Sequence, residues 1–387
     1  MSLGSKELFH SNFLEYLWNV NQEAFINVIN ENVKKEFHLP YPLNHNQEYE
    51  FGREKENFDI CFFHMENKKK VYDLVIENKV KSIPYKEQLE EYVKKAKDSK
   101  CCRFILLTLS DDFPDKDNVK PWEIVGYNEI KESISKYYKS ENDKHLHYIK
   151  DYCDFVEHLV QLKDIILPKN NEESTLFESK SIEDLKSVRL HDLYIKLRCS
   201  MFALNLKNEL KKNGIPAVVI NKYSDRKVKE EGERVVNLNI DIKQGVGQIA
   251  AWICDGEGPS NEKSNTYEIV IQGNQYRHGI NQLGIFGDNI VKGEEKYNQL
   301  DECYNRLGEI DDKRALEFLN FNGATEVHSN RDIFYKGTKR TKSGPFCCYD
   351  HLYIYRYRKI DGMAIKTLMN KMILDIKDIY NNLPNLY

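Results

Sequence analysis

The 387-residue sequence lacks the features that mark membrane, secreted and disulfide-rich proteins. No run approaches the roughly 20 consecutive apolar residues that a membrane helix needs. The opening residues, MSLGSKELF, show no basic segment followed by an apolar run, so no signal peptide is expected. The nine cysteines form no CxxC pair, and an odd number in a long chain favours reduced thiols. A cytoplasmic location without a membrane partner is the expectation.

The sequence also lacks the positive net charge that many nucleic-acid-binding proteins carry. Lys and Arg number 57 against 61 Asp and Glu, which gives a formal net charge of -4. Any nucleic-acid site therefore has to be a local one. With 41% hydrophobic and 30% charged residues, the composition is typical of a globular protein. The length exceeds that of a typical single domain.

We expect two domains, separated by the polar, aperiodic segment PKNNEESTLFESKS at residues 168–181. The first domain covers residues 1–167 and has an α/β pattern, and the second covers residues 181–387 and has an α+β pattern. The predicted helices lie at residues 7–19, 23–37, 85–97, 128–138, 145–166, 182–212, 294–307 and 362–380. The main predicted strands of the first domain lie at residues 58–63, 71–80 and 103–109.

The most informative pattern lies at residues 58–95, FDICFFHMENKKKVYDLVIENKVKSIPYKEQLEEYVKK. If its two strands form a hairpin that turns near Asn67 and Lys68, Asp59 lies opposite Glu77 or within one residue of it. Facing residues in such a pair are roughly 5 Å apart at the backbone. Because side chains alternate along a strand, Glu77 and Lys79 share one face of the sheet. The pattern thus groups two carboxylates with one ammonium.

This grouping is suited to phosphoryl chemistry. Neighbouring carboxylates repel, and a hard divalent cation with oxygen ligands relieves the repulsion. Such a cation lowers the pKa of a bound water, and a nearby lysine can neutralise phosphoryl oxygens. The alternative is a solvated cross-strand salt bridge, which would contribute little. The apolar run Leu74-Val75-Ile76 before Glu77 favours a strand covered on both faces, and therefore the metal site.

Asp59 followed by Ile76-Glu77-Asn78-Lys79 resembles the PD-(D/E)XK nuclease superfamily. The phrase VIENKVKSIPYKEQLEEY is most similar to a bacterial and phage-linked subgroup with an IENK-type motif. The resemblance covers about residues 1–166 and implies a restriction-endonuclease-like αβββαβ core, a mixed central sheet flanked by helices. One core strand is unaccounted for unless residues 47–51 supply it, and Phe58 stands where the superfamily often has Pro.

The resemblance also implies roles for individual residues. Asp59 and Glu77 would bind Mg²⁺ or Mn²⁺, with the backbone carbonyl of Ile76 or Asn78 as a further ligand. Lys79 would position the attacking water or help to deprotonate it.

Four further residues have weaker assignments. Gln88 on the following helix and Glu7 on the first helix would assist catalysis, with Glu50 and Glu54 as alternatives to Glu7. Lys81 and Tyr92 are candidate contacts to nucleic acid, although Tyr92 is equally consistent with packing.

The expected function is metal-dependent hydrolysis of nucleic-acid phosphodiester bonds, with DNA as the expected substrate, in phage defence, restriction or repair. Two alternatives stay open. One is a catalytically silent nuclease-like module that binds nucleic acid or protein, and the other is an enzyme whose site lies within residues 181–387. The oligomeric state is left open, a homodimer included.

Overall fold

In the computed structural model the chain divides into two units: residues 1–169 with 179–201, and residues 170–178 with 202–387. The structure describes residues 7–35, 38–39, 49–96, 102–110, 119–139, 143–168, 172–220, 227, 229–230, 232–243, 245–254, 266–281, 317–324, 331–335, 338–342, 347–349 and 353–383. The boundary between domains of residues 1–167 and 181–387 stays a prediction, and the predicted helix at 294–307 lies outside the described residues. None of the described helices combines the length and hydropathy of a membrane span.

The first unit is built on a mixed sheet with helices around it. Its strands are β1 (Tyr49–Lys55), β2 (Phe58–Glu66), β3 (Lys69–Lys79), β4 (Arg103–Thr108) and β5 (Glu123–Gly126), which lie side by side in that order. Its helices are α1 (Glu7–Val20), α2 (Gln22–Glu31), α3 (Lys86–Lys95), α4 (Tyr127–Tyr137), α5 (Asp143–Ile166), α6 (Ser179–Ser187) and the first part of α7 (His191–Lys212).

The order of these elements confirms the expected α/β architecture. β1, β2 and β3 pair antiparallel, whereas β4 pairs parallel to β3 and β5 parallel to β4. β1 supplies the core strand that the sequence pattern left unaccounted for. The parallel pairing of β3 with β4 requires a crossover, which α3 provides.

The β2–β3 hairpin turns through Asn67 and Lys68, as predicted. Glu66 pairs with Lys69 across the turn, and the two turn residues have φ angles of 49° and 63°. Two consecutive positive φ angles define a type I′ turn, whose twist matches that of the paired strands. The turn therefore sets the register at the closed end of the hairpin.

A bulge changes this register before the strands reach the open end of the hairpin. On the turn side Phe63 pairs with Tyr72, but beyond it Phe62 pairs with Leu74, so Asp73 is an extra residue in β3. Without that extra residue, Asp59 would be level with Ile76. Since a one-residue shift moves side chains to the opposite face, the bulge is what puts Asp59 and Glu77 on the same face.

The single helix predicted at residues 182–212 is wrong, because the structure has two helices there, α6 and α7. Arg189 adopts a left-handed backbone conformation with φ of 58°. The Arg189 N–H donates to the Lys186 carbonyl and the Leu190 N–H to the Leu185 carbonyl, which is the Schellman pattern that ends a helix. The chain then restarts as α7.

The second unit holds a seven-stranded sheet, which confirms its expected α+β character. The strands follow the order β15 (Cys347–Tyr349), β16 (Tyr353–Lys359), β12 (Gln275–Asn281), β11 (Thr266–Gln272), β10 (Val246–Cys254), β9 (Val236–Lys243) and β6 (Ala217–Ile220). Two short hairpins, β7 (Lys229–Glu230) with β8 (Glu233–Arg234) and β13 (Arg331–Tyr335) with β14 (Thr338–Lys342), accompany it. The helix α8 (Ile365–Asn382) buries one apolar face, including Leu368, Met372 and Ile376.

Candidate active site

Glu77 and Lys79 form a buried ion pair at the end of β3. The Lys79 Nζ lies 2.6 Å from the Glu77 Oε1, and only 2% of Glu77 and 9% of Lys79 are exposed. Asp59 lies at the start of β2, where Ile60 pairs with Ile76, so it is level with Glu77. This burial does not fit a solvated surface salt bridge, which is the alternative that the sequence allowed.

Burial makes both carboxylates difficult to ionise. Desolvation raises the pKa of Glu77 to about 7, against the opposing charge of Lys79 and with a further increase from Asp59. Desolvation likewise raises the pKa of Asp59 to about 6, although a hydrogen bond from the Asn78 N–H and the charge of Lys79 act in the other direction. Two carboxylates that lose their protons only near neutral pH are typical of functional sites.

Lys79 remains a cation in this environment. Its burial would lower its pKa, but the surrounding carboxylates of Glu77, Glu7 and Asp59 outweigh that effect and raise the pKa above its usual range. A lysine that holds its proton this firmly can donate hydrogen bonds and neutralise negative charge. It is poorly suited to removing a proton from water at neutral pH.

Gln88 connects the site to α3. Its Nε2 donates to the Glu77 Oε1 at 3.0 Å and to the Tyr92 hydroxyl at 2.8 Å. The ring of Tyr92 packs edge-on against Phe58 at 5.2 Å and is 6% exposed. The position of Gln88 matches its predicted place beside the carboxylates, whereas that of Tyr92 favours packing over a contact with nucleic acid.

Glu7 reaches the same end of the sheet from the first turn of α1. Its Oε1 accepts a hydrogen bond from the Ser82 hydroxyl at 2.9 Å, and its charge contributes to the raised pKa values of Asp59 and Glu77. Of the two alternatives, Glu54 also contributes to the raised pKa of Asp59, while Glu50 pairs with Lys55 at 3.1 Å.

The Lys81 ammonium forms an ion pair within the protein. Its Nζ lies 2.5 Å from the Asp192 Oδ2, in the first turn of α7. Asp192 lies far outside the pattern at residues 58–95, so no local sequence pattern predicts this ion pair. A nucleic-acid phosphate would have to compete with Asp192 for Lys81.

The sequence model of the PD-(D/E)XK nuclease superfamily matches residues 1–154. Residues 1–154 belong to the PD-(D/E)XK nuclease superfamily. Neither a curated protein nor a solved structure shows significant similarity to the chain.

In this PD-(D/E)XK domain the donor set fits a hard divalent cation. Glu77 Oε2 is buried and has no hydrogen-bond partner in the part of the chain that the structure describes. An unsatisfied buried carboxylate oxygen close to a second carboxylate is costly unless a cation or a hydrogen-bond donor satisfies it. Carboxylate oxygens are also the ligands that Mg²⁺ prefers.

The PD-(D/E)XK domain supplies only part of a coordination shell. Among the described residues, no group of three or more His, Cys, Asp or Glu side chains is arranged to hold a metal ion. Asp59 and Glu77 would therefore contribute two carboxylates, and backbone carbonyls, water or substrate oxygens would have to complete the shell. This division is usual for Mg²⁺, which keeps several waters and binds substrate phosphates.

Proposed function

We propose that the PD-(D/E)XK domain hydrolyses phosphodiester bonds of nucleic acid, with DNA as the expected substrate, in a reaction that depends on Mg²⁺ or Mn²⁺. The observation that carries this proposal is the half-buried carboxylate of Asp59 level with the buried Glu77, beside the Lys79 ammonium. The pKa values of about 6 and about 7 for the two carboxylates and the unpartnered Glu77 Oε2 support it.

Asp59 and Glu77 would hold the metal ion. When bound, a divalent metal lowers the pKa of a coordinated water and stabilises negative charge on the phosphoryl group. The two residues suit this task because their negative charges repel each other in a site from which water is largely excluded. Without a cation, burial favours protonation and raises the pKa of both carboxylates, and the charge of Asp59 raises the pKa of Glu77 further.

Lys79 would orient the attacking water and neutralise the phosphoryl oxygens as charge develops on them. Its raised pKa keeps it cationic through the working pH range, which favours this electrostatic role over that of a base. Gln88 would hold the Glu77 carboxylate in place through its 3.0 Å hydrogen bond to Oε1. Glu7 would add negative charge that keeps Lys79 protonated.

Lys81 would contact a phosphate once its ion pair with Asp192 opens. Roles in phage defence, restriction or repair, a cytoplasmic location and a homodimer all stay predictions.

The direct test is a cleavage assay on the full-length protein. Single- and double-stranded DNA and RNA, linear and circular, would be incubated with Mg²⁺ or Mn²⁺ and, in parallel, with EDTA. We expect cleavage that EDTA abolishes and that Lys79→Ala reduces by a factor on the order of 100 or more. Lys69→Ala, an exposed change on the same strand, is the matched control. Absence of cleavage on every substrate, or cleavage that survives Lys79→Ala, would contradict the proposal.

A catalytically silent binding module is the second candidate. The contact between Lys79 and Glu77 favours it, because at 2.6 Å the ammonium already occupies one carboxylate oxygen. Calorimetry with Mn²⁺ separates the two candidates. Binding that Asp59→Asn abolishes supports the nuclease, and the absence of any binding supports the module.

A further inference from the structure

Asn78 makes hydrogen bonds on both faces of the sheet. Its backbone N–H donates to the Asp59 Oδ2 at 2.7 Å, while its side-chain Nδ2 donates to the Ser11 Oγ of α1 at 2.6 Å. The Tyr127 hydroxyl makes a longer contact of 3.4 Å with its Oδ1. Asn78 is completely buried. One residue therefore connects Asp59 on one face with α1 on the other.

The backbone N–H of Asn78 is used in an unusual way. Pairing between β2 and β3 ends at Ile60 and Ile76, so this N–H bonds to a side chain instead of a strand partner. Its direction is set by the peptide plane that joins Glu77 to Asn78. A side chain that is anchored on the far face restricts rotation of that plane. Anchoring of Asn78 therefore also orients Asp59.

Ser11 is well placed to provide this anchor. Its hydroxyl donates to the Glu7 carbonyl at 3.2 Å and accepts from the Asn78 amide, so both roles of the hydroxyl are used. Ser11 is fully buried one turn after Glu7, among apolar residues of α1 such as Leu14. Removing the hydroxyl would leave the Asn78 amide without its partner on α1, in a place that water does not reach.

We propose that Asn78, held by Ser11, is a positioning residue that orients the Asp59 carboxylate for metal binding. The effect of this positioning on metal binding rests on the proposed function. The orientation of Asp59 by the Asn78 N–H does not, because it is a property of the metal-free protein. Hydrogen bonds of this kind to ligand side chains commonly change metal affinity when they are removed.

A matched hydrogen bond elsewhere in the same unit separates positioning from mere stability. Asn32 Nδ2 donates to the buried Ser133 Oγ at 2.9 Å, where α2 meets α4, away from the carboxylates. Ser11→Ala and Ser133→Ala both remove a buried serine hydroxyl that accepts from an asparagine amide. Only the first change should affect the site.

Two measurements on the full-length protein test the inference. The first is hydrogen exchange of the Asn78 amide in EDTA, resolved by NMR on deuterated protein. The second is the dissociation constant for Mn²⁺ alone, measured by calorimetry. We expect Ser11→Ala to accelerate exchange of the Asn78 amide about tenfold and to weaken Mn²⁺ binding about tenfold. Ser133→Ala should leave both quantities within twofold of the wild type, with twofold taken as roughly the measurement error.

The outcomes are distinguishable from failure of the proposed function. Unchanged Asn78 exchange in Ser11→Ala, or equal effects of Ser11→Ala and Ser133→Ala, would overturn the positioning role. Faster exchange in Ser11→Ala would also overturn it if the wild type binds Mn²⁺ and the variant binds the ion with the same affinity. Faster exchange in Ser11→Ala alone, in a wild type that binds no Mn²⁺, would support the orientation of Asp59 and refute the proposed metal site.

Discussion

At the scale of single residues, the candidate site contains carboxylates that lower the stability of the folded protein. Glu77 is buried and Asp59 half-buried, in surroundings where ionisation is unfavourable, and the pKa of each lies well above its usual value. Such a cost is commonly found at functional sites, where a ligand or transition state later offsets it. The consequence can be measured without knowledge of the substrate.

The first prediction concerns Asp59→Asn in metal-free protein. Because the folded pKa of Asp59, about 6, exceeds the ordinary 3.8, the folded state holds the proton more tightly than the unfolded state. Its stabilising contribution is complete below about pH 4 and is lost as the pH rises to about 6. Two pKa units correspond to about 3 kcal/mol, so Asp59→Asn should raise the free energy of unfolding at pH 8 by up to that amount.

Urea denaturation in EDTA at pH 4 and pH 8 measures this effect. The gain from Asp59→Asn should be largest at pH 8 and close to zero at pH 4, where Asp59 of the wild type is itself protonated. Glu66→Gln, an exposed change on the same strand, is the control and should be neutral at both values. A variant that is less stable than the wild type at pH 8 would show that Asp59 is not destabilised by its surroundings.

The second prediction concerns Gln88, which bridges Glu77 and Tyr92. Gln88→Leu removes the amide contacts at 3.0 Å and 2.8 Å while roughly keeping the side-chain volume. We expect kcat for cleavage to fall about tenfold, since the Glu77 carboxylate loses a hydrogen bond that fixes its orientation. Tyr92→Phe leaves the Gln88–Glu77 contact in place and should have a smaller effect. Wild-type kcat in Gln88→Leu would remove Gln88 from the site.

At the scale of elements, the β2–β3 hairpin determines whether the site exists at all. Its type I′ turn and the bulge at Asp73 act together to bring Asp59 level with Glu77. Bulges frequently lie beside functional sites, where they redirect side chains. The Asp73 Oδ2 also lies 2.7 Å from the His64 Nδ1 of β2, a contact that helps to hold the extra residue in place.

The third prediction follows from the φ angle of Lys68. A lysine at φ of 63° pays a steric penalty that glycine avoids, and Asn-Gly is the favoured pair for a type I′ turn. Lys68→Gly should therefore raise the free energy of unfolding by about 1 kcal/mol, with the rate of cleavage unchanged. Lys69→Gly, within β3, should instead destabilise the protein. Equal effects of the two changes would contradict the turn assignment.

Much of this hairpin could be predicted from sequence, because its turn and its strand alternation depend on residues that are close together in the chain. Asn67-Lys68 lies between two apolar strands, and the face shared by Glu77 and Lys79 follows from alternation. The bulge at Asp73 could not be predicted, because it depends on how β2 and β3 pair over their whole length. The break at Arg189 was missed for a related reason, since an arginine in a left-handed conformation has no clear sequence signature.

At the scale of the whole molecule, residues beyond the superfamily match also reach the site. Asp192 of α7 forms an ion pair with Lys81, two residues after Lys79. Long-range contacts of this kind cannot be predicted from local patterns, and the same holds for Ser11 and Tyr127 at Asn78. The sequence thus predicted the motif residues, whose roles stay predictions, but not the residues that hold them.

The fourth prediction concerns this ion pair. Asp192→Asn keeps the hydrogen bond that Asp192 Oδ1 accepts from the Leu193 N–H but removes the charge that neutralises Lys81. If Lys81 contacts phosphate, binding of DNA should tighten severalfold at low salt. The slope of log affinity against log salt should steepen by up to about 0.9.

Fluorescence anisotropy with labelled DNA in EDTA, over a range of salt concentrations, measures both quantities without cleavage. Asp184→Asn removes an exposed carboxylate from α6 and serves as the control for net charge. An identical change in both variants would show only a general charge effect, and weaker binding by Asp192→Asn would contradict a phosphate contact at Lys81.

The second unit has a buried polar cluster of its own. The His278 Nε2 lies 3.0 Å from the Asp375 Oδ2, which also accepts from the Tyr276 hydroxyl at 2.6 Å. These contacts tie β12 to α8. His278 is only 3% and Tyr276 0% exposed, and the partly exposed Asp375 also pairs with Lys371 at 3.2 Å, so the cluster has the character of a structural network. A catalytic site elsewhere in residues 181–387 stays an open alternative.

The central claim is that Asp59 and Glu77 form a divalent-metal site, and calorimetric titration of Mn²⁺ into the full-length protein tests it most directly. The titration needs no knowledge of the substrate. The account predicts saturable Mn²⁺ binding at pH 8 that Asp59→Asn abolishes and that Glu66→Gln leaves intact. Binding that persists in Asp59→Asn, or no binding by the wild type, would contradict it.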